Sequence, residues 1–385
     1  MLTEKQLEEA VGRIIHRLDV VNTAYISKIA AQVKKIGELN QSSINRMVIM
    51  SEMGADVTEI TLQLKKATGL NLRDLFRIYN VALNDVYTDQ RFRAYLNENP
   101  LPVEDKARLT HYAQAVSVQT AQNITNLSNT TVIAAPYREA VDRAIFAVST
   151  GMADYKSATR DVIRSLGQAG MQVYYPSGYH RRLDTAVRQN IIDGANQIAQ
   201  NASIMMGEML EYDAIELSAH LRSAPDHEPV QGRVFLKSEF EKMQTGQSFV
   251  DIDGRYYEGF ARPIGEWNCM HIAMSFSTEH SVRKYTDRQL QEWKEKNAAG
   301  CEINGKHMSI YEAGQYMRQI ETDIRREKDT AVAAQKADDN VLRQQCQKRI
   351  NALSARYSQV AAASGITQRR DRMMVDGFRA VKVKN

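Results

Sequence analysis

Residues 183–218 read LDTAVRQNIIDGANQIAQNASIMMGEMLEYDAIELS, and the type of structure changes within this stretch. Up to Glu211 the apolar residues keep helical spacing, at Leu183, Val187, Ile191, Ile198, Ile204 and Met205. This spacing places them on one side of a helix, so we predict one long helix over about 183–211. After Tyr212 the helical period stops, and short strand-like segments separated by turn residues begin.

The chain upstream of this stretch is also predicted to be helical. Apolar residues that recur every three, four or seven positions indicate a first long helix; they are Leu7, Val11, Ile14, Leu18, Tyr25, Ile29, Val33 and Ile36. Asp56 with Glu59 is typical of a helix start and Gly69 of a helix end, so a short second helix is expected between them. Segment 97–102 contains two prolines and cannot continue a helix, so it separates an N-terminal helical region, 1–100, from a central one, 101–212.

Residues near 213–280 are predicted to form a small α+β module. Strand-like composition occurs at 214–218, 233–236, 248–252 and 255–260. Asp253-Gly254 between the last two is a strong hairpin signal. Ser238 with Glu241 has the pattern of a capping box, which would begin a small helix. The expected fold is therefore mainly α, multi-helix and elongated, with one small α+β module.

The region 281–385 is predicted to be helical and basic. It contains 21 Lys and Arg against 13 Asp and Glu, a net charge of +8, whereas residues 1–280 contain 29 and 33, a net charge of −4. Glu321 and Arg325 are four residues apart and are expected to pair on the outer face of a helix. A basic region favours a polyanionic partner such as double-stranded DNA, although interspersed charges are also typical of a solvated helix. The candidate DNA-proximal residues are Arg369, Arg370, Arg372, Arg379, Lys382 and Lys384.

Composition and missing motifs argue against several classes of protein. No run approaches the ~18 consecutive apolar residues of a membrane-spanning helix, and MLTEKQLEEA at the start lacks the order of a signal peptide. We therefore expect a protein that stays in the cytoplasm where it is made and has no membrane contact. Three cysteines are too few and too scattered for a disulfide framework. Phosphate-binding glycine loops, HExxH motifs, paired CxxC motifs and nucleophile elbows are absent from the sequence.

Chemically versatile side chains concentrate in two motifs of the module, SAHLRSAPDHEPVQG at 218–232 and EWNCMH at 266–271. One interpretation is a structural zinc site, because His and Cys side chains bind Zn²⁺, although the spacing differs from that of zinc fingers. Its candidate ligands are His220, His227, Cys269 and His271. A second interpretation is a nucleophilic Cys–His pair with Asp226 as the orienting group.

A third interpretation needs no cofactor. His220, His227 and Gln231 would satisfy backbone groups in a hydrogen-bonded loop network, as buried polar groups usually do. Trp267 would anchor the core of the module, since a buried indole covers a large apolar area. We therefore expect packing and hydrogen bonding at these residues, with structural zinc as the alternative.

The same motifs resemble the phage minor capsid protein 2 family, which is related to the Mu F-like phage head morphogenesis proteins. The family's Ser-x-His motif is similar to Ser218-Ala219-His220, and its Arg-x4-His motif is similar to Arg222 with His227. Its Gln-Gly motif is similar to Gln231-Gly232, and its Asn-Cys-Arg-His motif is similar to Asn268-Cys269-Met270-His271. Further similar segments lie at 154–155, 177–178, 186–188 and 319–328. Met270 stands where the family pattern has arginine.

This resemblance implies a structural minor capsid protein of a tailed phage, found in the virion and assembled into heads in the host cytoplasm. It implies the portal protein and other capsid or scaffold proteins as partners, and it implies no catalytic activity. Two alternatives stay open. One is a metal- or thiol-dependent effector enzyme delivered with the genome, which would use the His and Cys residues of the module. The other is a DNA-binding assembly factor that acts through the basic C-terminal region.

Overall fold

The computed structural model describes residues 4–38, 43–69, 72–89, 92, 96, 101–150, 155–265 and 269–383. The chain forms two compact units. Unit 1 consists of Met1–Val11, Leu70–Gln122 and Gln189–Gly314, and unit 2 of Gly12–Gly69, Asn123–Arg188 and Gln315–Asn385. Among the described helices, none combines the length and the apolar character needed to cross a membrane.

Helices dominate the described residues, so the prediction of a mainly α chain with a small β part is confirmed. The helices are α1 (Glu4–Glu38), α2 (Ser43–Thr68), α3 (Leu72–Tyr87), α4 (Val103–Asn129), α5 (Ala134–Thr150), α6 (Tyr155–Ala169), α7 (Leu183–Met209), α8 (Lys237–Gln244), α9 (Asp287–Ala299), α10 (Ile310–Lys336) and α11 (Asn340–Ser364). A 3₁₀ helix follows at Arg370–Met373. The first long helix and the helix expected over 183–211 are present as α1 and α7.

Short antiparallel strands lie between the helices. They are β1 (Thr131–Val132), β2 (Gln172–Tyr174), β3 (His180–Arg182), β4 (Ala214–Leu217), β5 (Val234–Leu236), β6 (Phe249–Val250), β7 (Tyr256–Tyr257), β8 (Ala273–Phe276), β9 (Cys301–Ile303) and β10 (Lys306–Met308). They pair in the orders β1-β2-β3, β5-β4-β8, β6-β7 and β9-β10. The predicted hairpin at Asp253-Gly254 is confirmed as the β6-β7 connection.

Strand β4 lies at the centre of the sheet that supports the module. All four residues of β4 are buried, and so are all four of β8, because both faces of these strands are covered. The carboxylate of Glu216 is buried within β4 and accepts the backbone N–H of Lys284 at 2.7 Å. Strand β8 was not predicted, since a strand that is covered on both faces lacks the alternating pattern by which strands are recognised.

Helix α7 packs directly on β8. A Cβ atom at Gly207 would lie only 2.2 Å from the hydroxyl oxygen of Ser275, so a larger residue there would force the helix and the strand apart. Ser203, one turn earlier, accepts the backbone N–H of Ser275 at 2.9 Å. On the other side of the module an apolar core forms from Ile215, Leu217, Val230, Phe235, Phe240, Met243, Phe249, Ile264, Cys269 and Ala273.

Unit 2 contains a buried ionic network. Arg182 of β3 donates to Asp329 of α10 at 2.8 Å, and both side chains are nearly inaccessible. Asn22 of α1 donates to the same carboxylate at 3.3 Å, and its own oxygen accepts the backbone N–H of Met171 at 2.8 Å. Charges buried away from water are tolerated when they are paired in this way.

The expected pairing of Glu321 with Arg325 is wrong. Arg325 pairs with Asp184 at 2.6 Å, and Glu321 is buried against α11, where it accepts the hydroxyl of Tyr357 at 2.6 Å. These tertiary pairs are shielded from water. They therefore stabilise the fold more than an exposed pair of residues four positions apart on one helix, which contributes only a few tenths of a kcal/mol.

The predicted start of the second helix is also wrong. Helix α2 begins at Ser43, so Asp56 lies inside it. Asp56 pairs with Lys28 of α1 at 2.7 Å and accepts the hydroxyl of Tyr137 at 2.6 Å. A residue type that caps helices serves here as a contact between helices.

The capping box expected at Ser238 and Glu241 does not form. The N-cap residue of α8 is Leu236, two residues before Ser238, and it provides no side-chain acceptor. The carboxylate of Glu239 instead accepts the backbone N–H of Val250 at 2.9 Å, which attaches the helix to β6.

Asp19 of α1 is expected to make unit 2 sensitive to pH. Its carboxylate accepts the backbone N–H of Asp376 at 2.5 Å. Burial, reinforced by the nearby charges of Asp329 and Asp184, raises its pKa from 3.8 to about 6. Because the folded state holds this proton more tightly than the unfolded chain does, the stabilisation is present below about pH 4 and is lost as pH rises through about 6.

Asp19→Asn should therefore increase the free energy of unfolding at neutral pH by on the order of 2 kcal/mol, because asparagine keeps the acceptor and cannot ionise. Urea unfolding of both proteins across this pH range measures the difference. The difference should grow as pH rises from about 4 to about 6. Parallel stability curves would contradict the assignment.

Candidate functional site

The candidate site begins where the β4-β8 ladder ends. Leu217 is paired with Ala273, and Ser218 extends the ladder by two reciprocal bonds to Ile272. The N–H of Ser218 donates to the carbonyl of Ile272 at 2.9 Å, and its hydroxyl oxygen accepts the N–H of Ile272 at 2.8 Å. These bonds hold the first motif beside the segment that contains Cys269 and His271.

Cys269 and His271 lie in an irregular segment just before β8, outside any strand. Their side chains nevertheless point the same way and are only 4% and 2% exposed. Met270 between them is 36% exposed and points outward. Residues two positions apart thus share one face here, as they would on a strand, and both ligand-type side chains lie in the interior.

The loop between Ser218 and Gly232 folds back as a series of turns. The N–H of His227 donates to the carbonyl of Ala224 at 3.0 Å, and the N–H of Gln231 donates to the carbonyl of His227 at 3.1 Å. Gly232 has a φ angle of +67°, which glycine adopts without steric penalty. Its N–H donates to the carbonyl of Leu217 at 3.1 Å, so the loop ends beside strand β4, from which it starts.

His227, Cys269 and His271 meet in the interior of the module, and we call these three residues the His-Cys cluster. The sulfur of Cys269 lies 3.2 Å from Nδ1 of His227 and 3.5 Å from Nδ1 of His271. One ligand-type atom from each of the three residues lies within 4.8 Å of the others. The backbone N–H of His271 also donates to the sulfur at 3.4 Å.

Hydrogen bonds determine which nitrogen of His227 carries the proton. Its Nε2 lies 2.8 Å from the backbone carbonyl oxygen of Arg262, which can only accept. Nε2 is therefore protonated, and the lone pair of Nδ1 is directed toward the sulfur of Cys269.

His271 has the same tautomer for a similar reason. Its Nε2 faces the hydroxyl of Ser223 at 3.3 Å and Oε1 of Gln231 at 3.5 Å. This oxygen of Gln231 already accepts the backbone N–H of His220 at 2.9 Å, which identifies it as the carbonyl oxygen of the amide. Nε2 of His271 therefore donates, and its Nδ1 lone pair is also directed toward Cys269.

Burial keeps all three groups of the His-Cys cluster neutral. It lowers the pKa of His271 well below 6.5, helped by the nearby His220, His227 and Arg262. It lowers the pKa of His227 as well, although the carbonyl of Arg262 and the carboxylate of Asp226 oppose the shift. Burial raises the pKa of the Cys269 thiol. Desolvation disfavours every charged form here.

Asp226 and Arg262 close the site on its solvent side. The guanidinium binds both carboxylate oxygens of Asp226, at 2.9 and 2.7 Å. Arg262 Nη2 also lies 3.4 Å from Nδ1 of His227. Asp226 is thus committed mainly to Arg262, and its oxygen is 3.7 Å from Nε2 of His227.

This arrangement does not favour the nucleophilic interpretation of Cys269. A nucleophilic cysteine needs an exposed thiolate with a lowered pKa, whereas this thiol is buried and its pKa is raised. The proposed orienting role of Asp226 is not realised either, since its carboxylate is paired with Arg262.

The other predicted site residues surround the cluster. The ring of His220 stacks on that of His271, with 4.6 Å between centroids, but its nitrogens are not among the three clustered ligand atoms. Ser218, Gln231 and Gly232 shape the loop, and Arg222 lies on it with a partly exposed side chain. Trp267 and Asn268 lie outside the described residues, so the roles expected for them stay predictions.

Sequence reasoning missed Ser223, Phe260 and Arg262. Ser223 and Arg262 bond to the two imidazoles, and the ring of Phe260 packs against His227 with 4.9 Å between centroids. Arg262 orients His227 through its backbone carbonyl, which no residue type signals. The turn-rich composition around Ser223 indicates a loop but not the direction of a hydroxyl group.

The basic C-terminal segment in unit 2 is partly neutralised within the fold. Arg369 pairs with Asp371 at 3.1 Å, and Arg372 lies 3.6 Å from Glu321. The remaining described candidates have exposed side chains, namely Arg370, Arg379 and Lys382. Lys384 lies outside the described residues.

Comparison with known proteins gives one match along almost the whole chain. The model of the family described as phage minor capsid protein 2 matches residues 2–360. No curated protein and no solved structure matches the chain.

The hydrogen bond of Gln231 should contribute more to the stability of the module than the ion pair between Asp226 and Arg262. Gln231→Leu removes the acceptor of the partly buried His220 N–H from the interior of the loop and should lower the free energy of unfolding by about 1–3 kcal/mol. Asp226→Asn weakens a pair at the solvent edge and should lower it by less than about 1 kcal/mol. Denaturant unfolding, followed by the fluorescence of the two tryptophans, compares the variants. Equal losses would show that the loop does not depend on the Gln231 bond.

Proposed function

This chain belongs to the phage minor capsid protein 2 family, and we propose that it acts in head assembly of a tailed phage, in contact with the portal protein and the capsid interior. It is a structural phage capsid protein and a component of the virion. The family match over residues 2–360 carries the proposal, because it includes both the helical body and the module. We further propose that assembly takes place in the host cytoplasm.

The module is proposed as the part that contacts the portal protein or the inner shell. Strands β4 and β8 of its supporting sheet are fully buried, and the loop 218–232 is held by its own hydrogen bonds, so the module offers a rigid surface. Tyr256 and Met270 are large apolar side chains on that surface, 66% and 36% exposed. Rigid, partly apolar surfaces bind partners with a small entropic penalty.

Replacing both residues, in Tyr256→Ser/Met270→Ser, should therefore reduce incorporation into heads at least tenfold without unfolding the protein. The matched control is Val103→Ser on α4, which removes an 84% exposed apolar side chain outside the module. Mass spectrometry of purified heads quantifies the chain, co-purification tests the portal contact, and circular dichroism checks folding. Normal incorporation of the double variant would remove the module from the interface. Absence of the wild-type chain from mature heads would contradict the whole proposal.

Contact with packaged DNA is a second candidate function, favoured by the exposed cations of the C-terminal segment. Arg370, Arg379 and Lys382 are exposed, whereas the charges of Arg369 and Arg372 are balanced by Asp371 and Glu321. We expect weak binding without sequence preference, because contacts to phosphates carry no sequence information.

Arg370→Gln/Arg379→Gln/Lys382→Gln should abolish the binding of duplex DNA at about 50 mM salt and lower the slope of log K against log[salt] by about 2–3. Arg369→Gln is the control and should change binding little. Fluorescence anisotropy with labelled duplex measures both variants. If the wild-type chain does not bind at this salt concentration, DNA is not a partner of this segment.

The effector-enzyme alternative finds less support. It requires a reactive thiol or an accessible ion, whereas Cys269 is 4% exposed with a raised pKa and both imidazoles of the His-Cys cluster are buried.

A further inference from the structure

We infer that the His-Cys cluster is a binding site for one divalent metal ion of the zinc class, held by Nδ1 of His227, Sγ of Cys269 and Nδ1 of His271. The inference rests on the geometry of the cluster and not on the proposed capsid function. Nitrogen and sulfur donors select Zn²⁺ and related ions over Mg²⁺ and Ca²⁺, which prefer oxygen ligands.

The distances between the donor atoms suit such an ion. In a tetrahedral site, Zn–N bonds of about 2.0 Å and Zn–S bonds of about 2.3 Å place nitrogen and sulfur about 3.5 Å apart. The two Sγ–Nδ1 distances are 3.2 and 3.5 Å. Both sulfur–nitrogen distances are therefore close to those of a tetrahedral ion shared by these ligands.

The second nitrogen of each ring strengthens the inference. Histidine ligands usually donate their other N–H to a carbonyl or carboxylate, which fixes the ring and directs the free lone pair to the metal. His227 donates to the backbone carbonyl of Arg262, and His271 donates toward Gln231 and Ser223. Both imidazoles thus already have the tautomer that a metal ligand needs.

A cluster held by hydrogen bonds alone is less well satisfied. Two Nδ1 lone pairs face one thiol, whose single proton can bond to only one of them at a time. Arg262 Nη2 donates one hydrogen to Asp226 at 2.7 Å, and its second hydrogen can make only a long, weak bond to Nδ1 of His227, which is 3.4 Å away. A bound cation would satisfy both nitrogens and the sulfur together.

Three protein ligands leave one position of a tetrahedron for a water molecule or another small ligand. His220 stacks on His271 and covers that ring, but it is not part of the ligand set. We therefore expect His220→Ala to keep the ion, whereas His271→Ala should lose it.

The test uses the full chain, purified in chelator and then titrated with Co²⁺. The double variant Cys301→Ala/Cys346→Ala leaves Cys269 as the only thiol, since the chain has three cysteines, all of them unpaired. It should bind one Co²⁺ per chain, show the near-ultraviolet charge-transfer band of a cobalt–thiolate bond, and lose this band when Zn²⁺ is added. Because Cys301 and Cys346 are buried, circular dichroism first confirms that the double variant is folded, and its three proposed ligands are unchanged.

Absence of the charge-transfer band in the double variant would overturn the inference. Retention of the band in Cys269→Ala would also overturn it, because another thiol would then be the ligand. Loss of the ion in His220→Ala, with folding confirmed by circular dichroism, would contradict the three-ligand assignment. The metal titration does not depend on incorporation into virions. A failure of the metal site therefore appears in the titration, and a failure of the capsid role appears only in the incorporation assay.

Discussion

The antiparallel register of β4 against β8 is the constraint on which the candidate site depends. Pairing of Leu217 with Ala273, extended by the two bonds between Ser218 and Ile272, sets the start of one motif beside the end of the other. A slip by one residue would turn every side chain to the opposite face and separate the His-Cys cluster. Helix α7 secures the register, because Ser203 bonds to β8 and Gly207 permits close approach.

The helical part of the fold was largely predictable, since a period of three to four residues is a strong signal over helices as long as α1 and α7. Helix starts were less predictable. Asp56 has the chemistry of a cap, yet its carboxylate lies inside α2 and binds Lys28 and Tyr137. Strand β8 was missed because both of its faces are buried, which removes the alternation that identifies a strand.

The candidate site was predictable in its residues but not in its geometry. The types of side chain indicated that His227, Cys269 and His271 could act together, although sequence spacing gave no reason to separate them from His220. Their convergence results from tertiary pairing, and their orientation results from the carbonyl of Arg262 and the amide of Gln231. Contacts made through backbone atoms cannot be predicted from the residue type. A structural capsid role is compatible with this design, because the bonds in the loop stabilise a surface rather than expose a reactive group.

Both the stability assigned to the loop and the inferred ion site require that His227 and His271 are neutral and carry their proton on Nε2. Nitrogen-15 NMR of the imidazole rings in the metal-free chain measures this directly, and His227→Gln and His271→Gln spectra assign the two rings among the eight histidines. At neutral pH we expect a protonated Nε2 and an unprotonated Nδ1 in both rings. An imidazolium, or a proton on Nδ1 of either ring, would contradict it.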